Sequence, residues 1–410
     1  MGKSEIIAGL DMGSGRVTCI IAERDDEHNK LRVLAGASVP CRGLKGGVVV
    51  NIEEAASAVE RVMDAAEGKA NEVVGEVYLG VRGAHIQAFD SKGAYNIART
   101  DKEITSEDVA NVIETAKAFQ LSPDREILHV IPQGFSLDRQ RGVPNPIGME
   151  GSLLEVGVHI ITASSPAINN LVKSVSKGGF RVVAPIYTLL AVGELVVSEE
   201  EKELGCLLID AGGQTTSIAI YSEGGIHFSR EIPIGGDSIT RDIAYGLGTK
   251  IDSAQEIKEK FGAVLSKIIE DDKPIVITKL DGRTKKEVKP RELLDFIQPR
   301  AEEIFEKISQ SVQTSSYPDL PGGAILTGGG ALMRGMPEAA EVMLDLNQSR
   351  LGLPAQEILQ CPEEYMTQAY TGALALVCYP YLKNWTADVS APARNGSMEK
   401  KFWRWLKDMF

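Results

Sequence analysis

One short pattern occurs twice in this chain, and the two copies lie about half the chain length apart. In each copy an apolar run ends at an aspartate, two glycines follow, and a run rich in β-branched residues comes next. The first copy spans Ile6 to Ile21 with Asp11 at its turn, and the second spans Leu207 to Tyr221 with Asp210 at its turn. Two such runs around a glycine turn predict a hairpin. The repeat therefore predicts two similar α/β lobes, each with an aspartate at its first turn.

Each lobe continues with a third strand and a helix, and each then contains an insertion. The third strands are expected at Leu31 to Ser38 and Ile226 to Ile232, and the helices at Asn51 to Glu67 and Asp237 to Gly248. This order predicts mixed sheets covered by helices.

The two insertions differ in character. The first, expected between Val77 and Thr162, has the strands and the single helix (Ser106 to Phe119) of a small α+β subdomain. The second, between Ile251 and Gln313, combines a helix, a hairpin from Ile275 to Val288 and a charged helix that begins at about Pro290.

Composition limits the class of protein and its partners. The 410 residues are 43% hydrophobic and 25% charged, which suits about two to three folded domains. The net charge of −13 opposes binding to phosphate polymers, so no nucleic-acid partner is expected. The five cysteines form no CxxC pair, and we expect them to be reduced packing residues.

The two glycine turns are suited to holding phosphate groups. Because glycine has no Cβ, the backbone N–H groups of these turns can approach a phosphate closely. Asp11 and Asp210 would face each other across the cleft between the lobes, where two carboxylates beside phosphates suit a hydrated Mg²⁺. Arg16 would add a positive charge. A third glycine run, Gly328 to Gly330, precedes a predicted helix and would offer further N–H groups at its N-terminus.

Any one of these turns alone is most simply an ordinary hairpin turn or loop. Together and in this order they resemble the phosphate-1, phosphate-2 and adenosine motifs of the actin superfamily, whose members bind Mg-ATP between two duplicated, ribonuclease-H-like lobes. The resemblance implies ATP and Mg as cofactors, with Mg held near Asp11 and Asp210 through phosphates and water. The nucleotide-site residues that it implies are Asp11, Gly13, Ser14, Gly15, Arg16, Asp210, Gly212, Gly213, Gln214, Thr215, Gly235, Gly236, Glu256, Lys258, Gly328, Gly329, Gly330 and Met333.

The segment in which enzymes of this superfamily carry a general base lacks one here. Pro185 to Gly193 contains no Gln, Asp or Glu, and Glu194 lies two turns along the predicted helix, where we expect it to face solvent or pair locally. The sequence therefore predicts nucleotide binding with slow hydrolysis at most, and its catalytic residues are unknown.

Further stretches resemble the FtsA family of bacterial cell-division proteins. These stretches are His129 to Gln133, Asn145 to Met149, Val158 to Thr162, Cys41 to Gly43, Gly46 to Val48 and Asp242 to Gly246. The resemblance implies an ATP-binding, filament-forming protein that tethers FtsZ filaments to the cytoplasmic membrane and recruits later division proteins. It also implies that the FtsZ C-terminal peptide docks on the second-lobe insertion at Arg283 and Arg300.

On this interpretation the chain divides into two lobes, two insertions, a linker and a tail. The segments are 1–83 (start of the first lobe), 84–162 (inserted α+β subdomain, 1C type), 163–204 (first lobe continued), 205–250 (second lobe), 251–313 (second-lobe insertion, 2B type), 314–383 (end of the second lobe and return to the first), 384–397 (flexible linker) and 398–410 (amphipathic helix).

The tail is strongly amphipathic. On a helical projection its apolar side chains share one arc and most of its charged ones lie opposite. The apolar set is Met398, Phe402, Trp403, Trp405, Leu406, Met409 and Phe410, and the basic set is Lys400, Lys401, Arg404 and Lys407. This pattern predicts a helix lying in the headgroup plane of an anionic membrane. The FtsA resemblance implies that the membrane is the cell membrane, at its cytoplasmic face and at the division site. Docking of the helix on its own domain is the alternative, against which the polar linker argues.

Two other functions stay open at this point. A PilM-like pilus-assembly actin homologue would share the first insertion, although a terminal amphipathic segment has no evident use there. A kinase of the same superfamily would need a carboxylate base within Pro185 to Gly193.

Overall fold

A computed structural model describes residues 5–25, 30–317, 319–354 and 359–381 of the chain. Two α/β lobes, each built on a mixed sheet, are both interrupted by an insertion. The predicted fold class is therefore confirmed for this part of the chain. The predicted linker (384–397) and amphipathic tail (398–410) lie outside the described residues.

The first half of the chain forms the first lobe and its insertion. The elements before the insertion are β1 (Ile6–Met12), β2 (Arg16–Asp25), β3 (Lys30–Pro40), β4 (Leu44–Lys45), β5 (Val48–Val49), α1 (Ile52–Ala70) and β6 (Glu76–Val81). The insertion contains β7 (Gln87–Asn96), α2 (Ser106–Ala116), β8 (Arg125–Leu137), β9 (Gln140–Val143) and β10 (Leu153–Ser164). The lobe resumes with α3 (Ser165–Lys177), β11 (Arg181–Tyr187), α4 (Thr188–Val196) and α5 (Glu199–Leu204).

The second half forms the second lobe and returns to the first. Its elements are β12 (Cys206–Ala211), β13 (Thr216–Ser222), β14 (Gly225–Ile232), α6 (Gly236–Leu247), α7 (Ile251–Phe261), β15 (Ile275–Thr278), β16 (Lys285–Val288), α8 (Leu294–Gln313), β17 (Ala324–Thr327), α9 (Met336–Leu344) and β18 (Ser349–Leu351). The chain then re-enters the first lobe with β19 (Leu359–Gln360) and α10 (Thr371–Cys378).

The first lobe is a six-stranded sheet in the order β11-β6-β1-β2-β3-β19. Helix α1 packs against α3, and α4 packs against α10, so helices cover the buried apolar strands. The side chain of Asn51 caps α1 by accepting the N–H groups of Glu53 and Glu54. The pattern of elements placed β6 at the start of the first insertion, whereas the segment boundary after residue 83 placed it in the first lobe. The structure agrees with the boundary, because β6 lies between β1 and β11 and pairs in parallel with both.

The first insertion is a separate antiparallel sheet in the order β7-β10-β8-β9, with α2 packed on one face. Apolar residues of α2, among them Val112 and Ile113, are buried in a core of their own with residues of β8 and β10. Thr105 and Asp108 form a capping box at the start of α2. The predicted helix Ser106 to Phe119 thus ends three residues early, at Ala116.

The second lobe repeats the first. Its sheet has the order β14-β13-β12-β17-β18, in which β12 and β17 take the places of β1 and β6. Asp11 pairs in register with Gly80 of β6, and Asp210 pairs with Thr327 of β17. The two aspartates therefore end their strands at the same point of the repeated fold.

Most of the remaining sequence expectations agree with the structure. The hairpin expected from Ile275 to Val288 is formed by β15 and β16, and the charged helix begins as a short 3-10 turn (Pro290–Leu293) before α8. All five cysteines are free. Within the described ranges, no helix is both long and apolar enough to cross a bilayer.

Candidate nucleotide site between the lobes

The two turn aspartates meet at one arginine. An Nη atom of Arg82, just after β6, lies 2.9 Å from Asp11 Oδ2, and its other Nη lies 3.2 Å from Asp210 Oδ2. The side chains of Asp11, Arg82 and Asp210 are only 15%, 13% and 4% exposed. The prediction that Asp11 and Asp210 face each other across the cleft thus agrees with the geometry.

Charges at this point are strongly coupled. Burial raises the pKa of Asp11, although the guanidinium of Arg82 partly offsets the effect. Burial lowers the pKa of Arg82, but the carboxylates of Asp11, Asp210 and Glu231 outweigh it and the net pKa is raised. Glu231 is also buried, which raises its pKa. Arg82 therefore stays charged, and the site carries more carboxylates than cations.

The glycine turns are held in matching conformations. A Cβ added at Gly13 would lie 2.9 Å from the carbonyl oxygen of Arg16, and one at Gly212 would lie 2.7 Å from that of Thr215. At Gly15, by contrast, an added Cβ would meet no atom within 4 Å among the described residues. The outer glycine of the first turn is thus free to approach a ligand.

The start of α6 packs on the second turn. The N–H groups of Gly236 and Asp237 donate to the carbonyl oxygens of Gly212 and Gly213 at 3.0 and 2.7 Å. A Cβ added at Gly235 would lie 2.5 Å from the Gly212 oxygen. The predicted residues Gly235 and Gly236 therefore touch the phosphate-2 turn directly.

The adenosine-motif glycines lie beside Asp210. Gly328 has φ of +82°, a conformation that favours glycine, and a Cβ there would lie 2.3 Å from Asp210 Oδ1. A Cβ at Gly330 would lie 2.9 Å from the Ala211 oxygen, whereas Gly329 faces open space. Met333, just beyond, is partly buried against the second-lobe core.

A loop of the first lobe connects both turns. The N–H of Gly46 donates to Gln214 Oε1 of the second lobe at 2.9 Å, and the N–H of Gly47 donates to Ser14 Oγ at 3.0 Å. A cavity of about 480 Å³ opens at this place. Its lining includes Ser14, Gln214, Thr215, Arg42, Lys45 and Arg241. Three basic side chains therefore border the two predicted phosphate turns.

Three residues predicted for the nucleotide site differ in their surroundings. Lys258 is buried, its Nζ donates to the Gly236 oxygen at 3.0 Å, and burial lowers its pKa. Glu256 points to solvent and pairs with Lys260. Arg16 donates to Ser38 Oγ at 2.9 Å on β3, so Arg82 and not Arg16 is the guanidinium beside the aspartates.

The position that would carry a general base is occupied by Thr188, the first residue of α4. A Cβ added at Gly80 would lie 2.7 Å from Thr188 Oγ1 and 3.2 Å from Asp11 Oδ1, so both oxygens line the same gap. A threonine hydroxyl is a poor base. Glu194 forms an ion pair with Lys202 at 2.8 Å, in agreement with the local pairing predicted for it.

These residues fit a Mg-nucleotide. Among the described residues, Asp11 Oδ1 and the hydroxyls of Thr188 and Thr327 are buried without a hydrogen-bond partner. Buried polar atoms of this kind are costly unless a ligand or water satisfies them. Carboxylate and hydroxyl oxygens beside glycine turns are also the groups that hydrated Mg²⁺ and phosphates require.

Sequence reasoning missed two residues of the site, Arg82 and Glu231. Glu231 Oε1 accepts the Tyr187 hydroxyl at 2.9 Å, and its Oε2 accepts the Gly83 N–H across the cleft at 3.2 Å. A signal for Glu231 was present, because His227, Ser229 and Glu231 alternate as polar residues along β14.

The predicted peptide-binding arginines lie on the second-lobe insertion. Arg283 is exposed at the hairpin turn, and its N–H donates to Asp281 Oδ1 at 2.9 Å. Arg300, on α8, forms a two-point ion pair with Asp242 of α6 at 2.6 and 3.1 Å. The structure does not bring the two side chains into contact.

A mixed α/β fold of two repeated lobes, with paired aspartates at the cleft, defines an actin-like protein. Solved structures agree at the level of fold: the PilM–PilN type IV pilus biogenesis complex has a TM-score of 0.66 at 16% identity, covering 92% of this chain and 98% of that one. MreB5 of Spiroplasma citri bound to ADP has a TM-score of 0.51 at 14% identity, covering 90% and 94%.

Sequence comparison narrows the class. The family model of the SHS2 domain inserted in FtsA matches residues 83–162, and that of cell division protein FtsA matches residues 207–375. Cell division protein FtsA of Pseudomonas aeruginosa is 36% identical over 86% of this chain and 84% of its own. The chain belongs to the FtsA family of cell division proteins.

Proposed function

We propose that this chain is a nucleotide-dependent, filament-forming adaptor that holds FtsZ filaments at the cytoplasmic face of the cell membrane during division. The observation that carries the proposal is the meeting of Asp11 and Asp210, one from each repeated lobe, between two glycine turns. A ligand that contacts both turns would bind to both lobes at once. Its presence would therefore set the angle between the lobes.

The ligand that we propose is Mg-ATP. Asp11 and Asp210 would hold the metal through water, and the turn N–H groups would hold the phosphates. Bound Mg²⁺ neutralises phosphate charge. Lys258, whose Nζ donates to the Gly236 oxygen beside the second turn, would border the ribose and base. The MreB5 structure named above contains ADP, which supports the same use of this fold.

Hydrolysis is proposed to be slow. The buried hydroxyl of Thr188 lines the gap beside Asp11, where it can orient a water but cannot accept its proton at neutral pH. Glu194 is held by Lys202 and is unavailable. ATP would therefore act mainly as a structural ligand whose presence favours assembly.

The partner surface is proposed on the second-lobe insertion. Its hairpin docks on the end of α6, because the Leu280 N–H donates to the Gly248 oxygen at 2.8 Å. Large apolar side chains are exposed around this junction, among them Tyr245 at 92%. Apolar groups next to Arg283 and the basic hairpin suit an acidic peptide with apolar anchors, such as the FtsZ C-terminus.

Membership of the FtsA family supports our proposals for the insertion and the tail. The separately folded insertion (β7 to β10) offers a surface for later division proteins and for neighbouring copies in a filament. The amphipathic tail (398–410) would bind anionic lipid weakly as a single copy, and several tails in one filament would bind more tightly.

Vesicle sedimentation tests the membrane anchor and its dependence on nucleotide. The full chain, a version ending at Asn395, and Trp403→Glu are mixed with vesicles containing phosphatidylglycerol, with and without Mg-ATP. Trp385→Glu, in the linker, is the matched control. We expect only the full chain and Trp385→Glu to sediment, and more so with Mg-ATP. Equal behaviour of all four proteins would exclude the tail as the anchor.

A further inference from the structure

Arg82 is held by both lobes. Its guanidinium bridges Asp11 and Asp210, and the next N–H, that of Gly83, donates to Glu231 Oε2 of the second lobe. Glu231 is itself fixed by the Tyr187 hydroxyl. Three of these four contacts join the two lobes, so Arg82 and its neighbours hold the lobes together at the cleft.

The internal repeat shows what is unusual at this position. Asp11 pairs with Gly80 and Asp210 pairs with Thr327, so Arg82 and Gly329 each lie two residues beyond the paired position of their strand. Gly329 faces open space beside the cleft. The first lobe thus places a guanidinium where the second lobe has no side chain at all.

The guanidinium of Arg82 fills the space between the carboxylates of Asp11 and Asp210. A Cβ added at Gly372, at the start of α10, would lie 2.4 Å from Asp11 Oδ2 and 3.1 Å from an Nη of Arg82. Three carboxylates lie around one guanidinium, and their charges outweigh the effect of burial and raise the pKa of Arg82, so the arginine stays charged. Asp11 and Asp210 therefore have a cation of the protein itself between them.

We propose that Arg82 is an internal counter-cation that joins the two lobes at the cleft and competes with Mg²⁺ for Asp11 and Asp210. This inference rests on the proposed nucleotide function and adds a way in which the protein regulates Mg²⁺ binding at that site. The guanidinium has to leave at least one carboxylate before that carboxylate can receive a hydrated divalent cation. Arg82 Nε, which has no hydrogen-bond partner among the described residues, and the released Nη are then available to phosphate oxygens.

The empty protein provides the test, because Mg²⁺ alone is the probe. Thermal unfolding of the full chain is followed in EDTA and in MgCl₂, without nucleotide. We expect Arg82→Ala to unfold about 5 °C or more below the wild type in EDTA, because two buried carboxylates lose their cation. Mg²⁺ should recover a large part of that loss in Arg82→Ala and should leave the wild type unchanged.

Three further proteins make the result specific. Arg350→Ala is the matched control, since it frees the single carboxylate of Glu201, 2.6 Å away and far from the paired aspartates, and should show no Mg²⁺ response. The double variant Arg82→Ala with Asp11→Asn should lose the response. Arg82→Lys should respond partially, because an ammonium cannot bridge two carboxylates as the planar fork does.

An equal Mg²⁺ shift in the wild type and Arg82→Ala, or a shift in neither, would overturn the proposal. If Arg82→Ala does not fold, Arg82→Lys decides: a Mg²⁺ response no larger than that of the wild type overturns it. Titration of the wild type with a fluorescent ATP analogue tests the nucleotide proposal separately. Absence of binding there, with the Mg²⁺ response intact, would reject nucleotide binding and retain the competition of Arg82 with Mg²⁺.

Discussion

His159 Nε2, on β10 of the first insertion, lies 2.9 Å from Ser229 Oγ on β14 of the second lobe. The other ring nitrogen of His159 lies 2.7 Å from Asp90 Oδ1. His227 and Glu231, on the same polar side of β14, contact Tyr317 and the loop after β6 respectively. One strand of the second lobe thus meets the first lobe and its insertion through alternating polar residues. A change in the angle between the lobes would move the insertion through the contact of His159 with Ser229.

Replacement of His159 by leucine should destabilise the protein by about 1–3 kcal/mol, because Ser229 would be buried without its partner. Urea unfolding followed by circular dichroism measures the change. Ser229→Ala and the double variant complete a thermodynamic cycle, in which we expect a coupling of about 0.5 kcal/mol or more. Strict additivity of the two single changes would show that the contact contributes nothing.

Stability should fall as the pH is lowered below about 6.5, and His227 should contribute to the fall. Burial lowers the pKa of His227 beneath its usual 6.5, although Glu223 and Asp90 oppose this. As the pH falls below 6.5, His227 takes up a proton in the unfolded chain but stays neutral in the folded chain. The free energy of unfolding therefore decreases until the pH reaches the lowered pKa of the folded state. His227→Gln should show a shallower pH dependence of unfolding in urea. Tyr317→Phe, which keeps the imidazole, should retain the slope of the wild type.

The repeated hairpins and the meeting of the two aspartates could be predicted because their determinants are local. Glycines at a turn and β-branched residues in the flanking strands specify each hairpin, and the repeat then requires the two turns to face each other. The resemblance to the actin superfamily, and not the turn pattern, implied Gly235 and Gly236 next to the second turn. The fold class followed from the repeat, whereas the resemblance to the FtsA family came from other stretches, such as His129 to Gln133.

The residues that were missed depend on contacts far along the chain. Arg82 follows an ordinary apolar strand, and only the placement of β6 next to β1 brings it to Asp11. No sequence motif marks the end of that strand, so its arginine was not connected with the site. Arg16 was expected at the phosphates because it follows the turn, but its guanidinium donates to Ser38 on the neighbouring strand β3.

Substitution of the two glycines of the first turn, Gly13 and Gly15, should have different effects: one should reduce stability and the other should weaken nucleotide binding. Gly13→Ala should lower the thermal midpoint, because a methyl group would press on the Arg16 oxygen at 2.9 Å. Gly15→Ala should leave the midpoint nearly unchanged and weaken binding of a fluorescent ATP analogue by about tenfold or more, since the open space around it is where a phosphate would lie. Full binding by Gly15→Ala would place the phosphates elsewhere.

Asp242→Asn should tighten binding of an acidic FtsZ C-terminal peptide. The two-point ion pair with Asp242 occupies Arg300, and Glu303 pairs with the same guanidinium. Removal of the Asp242 charge leaves Arg300 freer to meet a peptide carboxylate, an exposed interaction of about 0.5–1 kcal/mol, or about two- to fivefold in affinity. Fluorescence anisotropy of a labelled peptide measures this gain in affinity at low and high salt, and we expect the gain at low salt only.

Asp295→Asn, an equal change of charge earlier in the same insertion helix, is the control and should give a smaller gain. Equal gains in both variants would mean that only net charge matters and that Arg300 does not contact the peptide.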